Sequence, residues 1–266
     1  MILWKTALMA LALYGALIAL LAALQTPMLF PRSMVGPAPP LPASAERQVV
    51  RTSDGAELHG VVIPGTDPDA PLLLGFGGNA WNAESVALFL HQIAPEHSVA
   101  AFHFRGYAPS TGRPSARALM RDAPEIHDAL AAPGGVIAVG FSIGAGPAAH
   151  LAAQRDLRGV VLVTPFDRLR KVAQASFPWA PVRWLFRHDM HPLAELRDAG
   201  APVALLIAAQ DEIIPPARAT ALAEGLTAAG QPPRHIERIT ARHNTIYDHP
   251  DFAPGLRAAI AAVQGN

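Results

Sequence analysis

The sequence predicts an α/β fold, in which a mostly parallel central sheet has helices on both faces and follows one N-terminal transmembrane helix. Three observations lead to this prediction. An uncharged apolar run lies near the amino terminus, short apolar strands alternate with Ala- and Leu-rich helical stretches, and a serine flanked by glycines stands where one strand meets a helix. The 266 residues are enough to bury a sizeable core.

The composition excludes several classes of protein. Lys and Arg together number 21, Asp and Glu also number 21, and cysteine is absent. Because a formal net charge of zero gives no long-range field that attracts a phosphate backbone, we expect no nucleic-acid partner. A chain without cysteine holds no disulfide, no thiolate nucleophile and no Cys-based metal site.

The apolar run extends from Ala7 to Leu24, and no charged side chain occurs between Lys5 and Arg32. About twenty helical residues, each rising ~1.5 Å, match a bilayer core of roughly 30 Å. The run therefore predicts a single-pass transmembrane helix. Trp4 and Phe30 flank it, and we expect these aromatic rings to lie at the two membrane interfaces.

Two other interpretations of this helix stay open. A cleaved signal peptide has a shorter apolar core and small residues at its cleavage site, whereas this run ends in Leu21-Ala22-Ala23-Leu24-Gln25. A buried core helix of a soluble protein is normally shorter and has polar interruptions. Lys5 and the amino terminus precede the helix, and only Arg32 follows closely. This bias favours a cytoplasmic amino terminus and an outward-facing, periplasmic globular domain.

The chain divides into three predicted segments. Residues 1–31 form the anchor, residues 32–45 form a linker, and residues 46–266 form the globular domain. The prolines concentrated between residues 36 and 43 exclude a helix or a central strand, so we expect an extended, semi-rigid spacer.

Strand and helix patterns alternate through the globular domain. Ser53-Asp54-Gly55 is a turn signature between two β-type segments and predicts a hairpin. Later strands are continuous apolar runs, as in strands buried on both faces of a parallel sheet. The predicted strands cover 48–52, 58–63, 72–76, 99–104, 136–139, 160–163 and 203–207, and helices are predicted near 84–94, 115–132, 143–154, 216–229 and 252–263. This alternation predicts one α/β domain.

A candidate nucleophile follows the strand at 136–139. Gly140-Phe141-Ser142-Ile143-Gly144 has the G-x-S-x-G pattern of a nucleophile elbow, in which a sharp strand-to-helix turn exposes a serine hydroxyl. The amino terminus of the following helix favours developing negative charge. An ordinary glycine-rich turn is the alternative. The strand before and the helix after favour Ser142 as a nucleophile.

A serine nucleophile needs a general base, and an imidazole base needs an orienting carboxylate. Where the three catalytic residues follow one another along the chain in the order Ser, acid, His, the acid follows a late strand and the histidine lies beyond the last strand. Asp211 and His243 occupy these positions. Glu212 remains an alternative acid, and His249 remains an alternative base.

Acyl transfer also needs hydrogen-bond donors for the developing oxyanion. The backbone N–H groups of Ile143 and of Asn79, in the glycine-rich loop after the strand at 72–76, are the candidates. His188 and His191 have metal-ligand spacing, but no third ligand lies near them in sequence, so we expect surface or cap histidines and no metal site. No organic cofactor is expected.

Together these motifs resemble the α/β-hydrolase superfamily, and more narrowly its small membrane-anchored α/β-hydrolase-domain proteins, related to serine aminopeptidase-like and depalmitoylating members. The resemblance covers nearly the whole chain and implies an α/β-hydrolase fold with Ser142 as nucleophile, Asp211 as orienting acid and His243 as general base. It also implies Asn79 and Ile143 as oxyanion donors. Besides the anchor with Met28-Leu29-Phe30-Pro31, it rests on Phe76–Ala80, Phe104–Ser115, the elbow, Thr164-Pro165-Phe166, Asp211–Pro215 and His243-Asn244.

The chain departs from the family pattern at a few positions. Gly77 replaces the usual His, Ala208-Ala209 replaces a common His-Gly pair, and Arg242 replaces the usual Gly before His243. None of these changes removes a catalytic side chain, and we expect Arg242 to face solvent. Arg105 is expected to brace a loop through buried pairing, although it could anchor a substrate carboxylate.

An aromatic insert of some forty residues between the strands ending at Val163 and beginning at Val203 predicts a small cap. Its apolar side chains line an acyl site or simply pack on the sheet. The sequence thus predicts a serine hydrolase that cleaves esters or thioesters of apolar acyl groups through an acyl-enzyme, with a small-molecule or lipid-like substrate and a membrane contact through the anchor. A serine peptidase or aminopeptidase, and a non-catalytic membrane-anchored binding protein, are the alternatives.

Overall fold

The computed structural model describes residues 2–264, which include one eight-stranded sheet. Its order is β1-β2-β4-β3-β5-β6-β7-β8, in which β3 to β8 run parallel and β2 is antiparallel to both β1 and β4. The strands are β1 (Glu46–Arg51), β2 (Glu57–Ile63), β3 (Leu72–Phe76), β4 (Val99–Phe102), β5 (Val136–Phe141), β6 (Gly159–Val163), β7 (Val203–Ala208) and β8 (His235–Ile239). The predicted mostly parallel sheet is therefore confirmed.

Helices cover both faces of the sheet, which explains the continuously apolar strands. The helices are α1 (Ile2–Leu29), α2 (Ala83–Ile93), α3 (Ala116–Asp128), α4 (Ala145–Gln154), α5 (Leu169–Ser176), α6 (Val182–Leu185), α7 (Pro192–Leu196), α8 (Pro216–Ala228) and α9 (Phe252–Gln264). In β5, Ala138 packs into the core on the face covered by α3, α4 and α8, whereas Ile137 and Val139 pack into the core on the face covered by α2 and α9.

The N-terminal helix α1 is longer than the predicted apolar run and is long and apolar enough to cross a membrane. The prediction that Phe30 lies at a membrane interface is wrong. Phe30 is only 1% exposed and belongs to the hydrophobic core, where its ring meets the imidazole of His188 edge-on at 5.3 Å between centroids. The ring enters the core because α1 ends at Leu29 against the globular domain.

The proline-rich segment after α1 is tied to the globular domain. Asn82, which caps the amino terminus of α2, donates its side-chain amide to the carbonyl oxygens of Gly36 and Pro37, each at 3.1 Å. This segment therefore follows the surface of the domain, although the boundaries at residues 31 and 45 stay predictions.

Arg105 braces the hairpin turn against α3. Its guanidinium donates to Asp122 through Nε at 3.0 Å and Nη2 at 2.5 Å, and Nη1 donates to Asp54 at 2.9 Å. Arg105 and Asp122 are buried, so the pair is removed from water. This is the bracing arrangement that the sequence favoured over a substrate anchor.

Candidate active site

Ser142 stands on the sharp turn between β5 and α4, with a φ of +52° that a residue with a Cβ adopts only at a cost in energy. Two glycines make the turn possible. A Cβ on Gly140 would lie 2.6 Å from the carbonyl oxygen of Gly144, and a Cβ on Gly144 would overlap the carbonyl oxygen of Phe76. The turn therefore lies directly against the end of β3.

His243 lies between Ser142 and Asp211. Its Nε2 is 3.0 Å from Ser142 Oγ, and its Nδ1 is 2.7 Å from Asp211 Oδ2. The tautomer with its proton on Nδ1 satisfies both contacts, since Nδ1–H then donates to the carboxylate and Nε2 accepts from the hydroxyl. His243 and Asp211 are buried, whereas Ser142 is partly exposed. The three predicted residues thus form one hydrogen-bonded chain.

The loop after β7 holds the Asp211 carboxylate in place. Its second oxygen, Oδ1, accepts from the backbone N–H groups of Ile213 at 2.9 Å and Ile214 at 2.7 Å. Both oxygens therefore have partners, and the carboxylate plane is fixed toward the imidazole.

Glu212, the alternative acid, contacts the backbone of His243 and not its ring. Its Oε2 accepts from the His243 N–H at 3.2 Å, and its Oε1 lies 3.3 Å from Arg242 Nη2. Hydrogen bonds from its own N–H and from that of His243 lower the pKa of Glu212. Sequence reasoning missed this clamp. The only signal was a carboxylate adjacent to Asp211 and a cation adjacent to His243. Arg242 is exposed, as expected.

The other alternative base, His249, has a local partner. Its Nδ1 accepts from the backbone N–H of Asp251 at 3.2 Å, just before α9 begins. This contact is that of a histidine near a helix terminus, so His243 is the histidine that meets Ser142.

Asn79 and Ile143 lie on the two segments that meet at the elbow. The N–H of Ile143 belongs to the first turn of a helix, where no intrahelical acceptor is available. The carbonyl oxygen of Asn79 accepts from the hydroxyl of Tyr107 at 2.7 Å. Tyr107 is fully buried, and burial raises its pKa. The hydroxyl therefore holds the Asn79–Ala80 peptide, which directly follows the Asn79 N–H, and sequence reasoning did not identify this contact.

The elbow is supported from behind by an aromatic cluster. The ring of Phe141, next to the serine, lies 5.2 Å from that of Trp81 and 6.1 Å from those of Phe89 and Tyr247, measured between centroids. Because Phe141 is fully buried, its packing keeps the end of β5 rigid.

His188 and His191 occupy different environments. Contrary to the expectation of a surface or cap histidine, His188 is buried, and its Nε2 is 2.8 Å from the Thr26 hydroxyl of α1. His191 directly precedes α7. Residues 2–264 contain no group of three or more His, Cys, Asp or Glu side chains placed to hold a metal ion.

Comparisons with known proteins extend this picture, although no protein-family model matches the chain. An uncharacterized protein of Mycobacterium tuberculosis is 32% identical over 213 residues, which cover 77% of this chain and 74% of that protein. An alpha/beta hydrolase domain-containing protein of Caenorhabditis elegans is 28% identical over 194 residues. The match covers 69% of this chain and 55% of that protein. The esterase Pf2001 of Pyrococcus furiosus superposes with a TM-score of 0.65 at 16% identity, over 87% of this chain and 97% of the esterase. With its sheet order, its elbow and these relatives, the chain belongs to the α/β-hydrolase superfamily, in one sequence family with the mycobacterial protein.

Proposed function

We propose that the chain is a serine hydrolase that cleaves carboxylic esters or thioesters of apolar acyl groups. The observation that carries this proposal is the hydrogen-bonded chain from Ser142 through His243 to Asp211, which starts at a serine with a positive φ. A structural serine needs neither the strained turn nor a histidine oriented by a carboxylate.

The proposed reaction proceeds in two steps. Ser142 Oγ attacks the acyl carbonyl carbon while His243 Nε2 takes the hydroxyl proton, and the N–H groups of Ile143 and Asn79 stabilise the oxyanion. Collapse of the tetrahedral intermediate breaks the bond to the alcohol or thiol, which leaves with the proton from His243. Water then attacks the acyl-enzyme with His243 again as base, which releases the acid and restores Ser142.

The composition of the insert between β6 and β7 favours an acyl substrate over an amino-terminal peptide. An aminopeptidase needs an anionic subsite for the substrate ammonium group. No Asp or Glu occurs between Asp167 and Asp189, the segment that forms most of the insert between β6 and β7. That segment therefore offers no carboxylate to a substrate ammonium group.

We also propose that α1 is retained as a membrane anchor with the globular domain facing outward. The buried Gln25 of α1 accepts from the backbone N–H of Arg187 at 2.8 Å, so the end of the helix is part of the folded domain. This contact supports retention over cleavage. A reporter enzyme that is active only in the cytoplasm, fused after Asn266, tests the orientation. Activity of this reporter contradicts the outward placement.

The test of the activity is labelling of the full-length protein, in detergent, with a fluorophosphonate probe and mass mapping of the modified residue. We expect labelling at Ser142, loss of labelling in Ser142→Ala, and full labelling in Ser176→Ala, which removes a hydroxyl that donates to the Val172 carbonyl of its own helix. Hydrolysis of a p-nitrophenyl ester series is then compared with that of aminoacyl anilides. Ester hydrolysis that is unchanged in Ser142→Ala contradicts the mechanism, and faster anilide hydrolysis favours a peptidase. A protein that neither reacts with the probe nor hydrolyses either series fits the binding-protein alternative.

A further inference from the structure

The segment between the two aspartates at residues 167 and 189, here called the cap (residues 168–188), differs in charge from the rest of the neutral chain. It has no acidic residue and five cations, which are Arg168, Arg170, Lys171, Arg183 and Arg187. The first four of these line one open groove together with Arg218. A surface of this kind attracts anionic groups.

The flanking aspartates neutralise only part of this charge. Asp189 pairs with Arg168 at 2.7 Å and with Arg170 at 3.0 Å, and Asp167 pairs with Lys171 at 2.6 Å. Between residues 2 and 264, Arg183 and Arg187 have no carboxylate partner. The part of the cap nearest α1 is therefore the most cationic.

The same part of the cap exposes large apolar side chains. Trp184 is 76% exposed, Trp179 is 48% exposed and Leu185 is 39% exposed. The guanidinium of Arg183 lies 5.9 Å from the centroid of the Trp184 ring. Exposed indoles beside arginines are typical of surfaces that lie at the boundary between lipid headgroups and acyl chains.

Contacts with α1 fix the position of the cap along the helix. The hydroxyl of Tyr14 donates to the carbonyl oxygen of Trp179 at 2.9 Å, and Arg187 donates to the carbonyl oxygen of Ala22 at 2.6 Å. The part of α1 before Tyr14, from Ile2 to Leu13, spans only about 18 Å at ~1.5 Å per residue, short of the roughly 30 Å of a bilayer core. A bilayer that α1 crosses must therefore extend past Tyr14 and reach the cap.

We propose that the cap is seated in the interface of a phospholipid bilayer that contains anionic lipids. Trp179, Trp184 and Leu185 enter the boundary between headgroups and acyl chains, and Arg183 and Arg187 meet the lipid phosphates. This placement rests on the proposed membrane anchor. The chain enters the cap from the carboxyl end of β6, where Val163 pairs with Phe141 next to Ser142, so the cap begins at the edge of the sheet that holds the site. If the proposed hydrolase function also holds, esters presented in a membrane are its substrates.

The absence of cysteine permits a direct test, because a single introduced thiol is the only one in the chain. Full-length Trp184→Cys carries an environment-sensitive fluorophore and is reconstituted into vesicles of phosphatidylcholine with phosphatidylglycerol. Gln154→Cys is the control, since Gln154 is exposed and lies at the end of α4 that is farther from Ser142. Leu185→Cys is a second cap variant, in case the loss of Trp184 perturbs folding.

We expect lipids with a nitroxide near the headgroup to quench the fluorophore at residue 184 and iodide in the water to leave it bright, with the reverse pattern at residue 154. Quenching of both cap probes by iodide alone overturns the proposal. Protection that persists in detergent and disappears on dilution indicates a second copy of the chain on this surface and also overturns it. Quenching by lipid that is weaker without phosphatidylglycerol identifies the anionic lipid as part of the partner.

A second experiment separates membrane seating from catalysis. Trp184→Ala is expected to leave hydrolysis of a soluble short-chain ester unchanged and to lower severalfold the hydrolysis of a long-chain ester dispersed in vesicles. An equal loss on both substrates, or no loss on either, contradicts the role given to Trp184. A wild-type protein that hydrolyses neither substrate contradicts the proposed function, while the fluorophore experiment still decides where the cap lies.

Discussion

Two histidines are buried to a similar extent, but the groups that contact their rings differ in chemistry. His243 is 5% exposed and His188 is 6% exposed, and each ring has a partner at both nitrogens. His243 lies between a carboxylate and the Ser142 hydroxyl. His188 lies between the Thr26 hydroxyl of α1, at 2.8 Å, and the backbone N–H of Ala116, at 3.5 Å.

The difference between them is the ionic partner. Burial, with a smaller effect from the positive charge of Arg187, lowers the pKa of His188 below its ordinary value. His188 therefore stays neutral and connects α1 to the domain by hydrogen bonds. An imidazolium formed at His243 has the Asp211 carboxylate at 2.7 Å to stabilise it. Burial and two hydrogen bonds are common to both rings, and only the proposed general base has a carboxylate beside it.

Replacing each imidazole by an amide tests this comparison most strongly. We expect His243→Gln to lower kcat on a p-nitrophenyl ester by at least about 10⁴-fold, because no group remains to take the Ser142 proton. The thermal midpoint in detergent should stay close to that of the wild type. His188→Gln should have the opposite profile, with nearly unchanged kcat and a lower midpoint. Similar losses of kcat in both variants contradict the distinction.

Removing the charge of Asp211 tests the same comparison at the other end of the proposed triad. Asp211→Asn should lower kcat about 10⁴-fold, because a neutral amide favours the wrong imidazole tautomer and does not stabilise an imidazolium. Glu212→Gln is the matched control. It keeps an oxygen that accepts from the His243 N–H and loses only the pairing with Arg242, so we expect a loss of less than about tenfold. A larger loss in Glu212→Gln than in Asp211→Asn assigns the acid to Glu212.

Much of the fold follows from local pattern, since strands buried on both faces consist of continuous apolar runs. Leu72–Phe76 and Val203–Ala208 were predictable for this reason. The α3 helix was predicted to reach residue 132 but ends at Asp128, because helical periodicity does not show where the backbone turns away. Chain order and the elbow pattern identified Ser142, His243 and Asp211, which hydrogen bonds join in that order.

What the sequence did not reveal depends on contacts between distant segments. The sequence predicts a membrane-interface aromatic at Phe30, which is buried because α1 packs against the globular domain. It predicts a surface histidine at His188, whose ring is instead in contact with Thr26, 162 positions away. Tyr107 and Glu212 are similar cases, because each acts on a backbone group of another loop. Such contacts follow from the tertiary packing, and no periodicity in the sequence encodes them.

The contact between Tyr107 and Asn79 gives a smaller prediction. Tyr107→Phe removes a hydrogen bond worth about 1 kcal/mol to the Asn79–Ala80 peptide, which adjoins the peptide that carries the Asn79 N–H, so kcat should fall roughly fivefold with little change in KM. Tyr14→Phe is the matched control, because it removes the equivalent bond to Trp179 in the cap. Kinetics on a soluble ester distinguish the two. A change in KM alone assigns Tyr107 to substrate binding.

The smallest expected effect is a dependence of stability on pH that originates at His188. The lowered pKa means that the unfolded chain binds a proton more readily than the folded one, so stability is fully present above the ordinary value of 6.5 and is lost as pH falls toward the folded pKa. Protonation would put a proton on Nδ1, which faces the N–H of Ala116, and would place a buried charge near Arg187.

Chemical unfolding of the full-length protein in detergent, at about pH 7.5 and about pH 5.5, measures this loss. Other groups also respond to acid, and His103 is one of them, because burial lowers its pKa as well. His188→Gln therefore serves as the reference: glutamine can accept from Ala116 and donate to Thr26 but does not titrate. We expect the wild type to lose more stability than His188→Gln over this interval. Equal losses would mean that His188 is protonated as easily in the folded protein as in the unfolded chain, and the contrast with His243 would then fail.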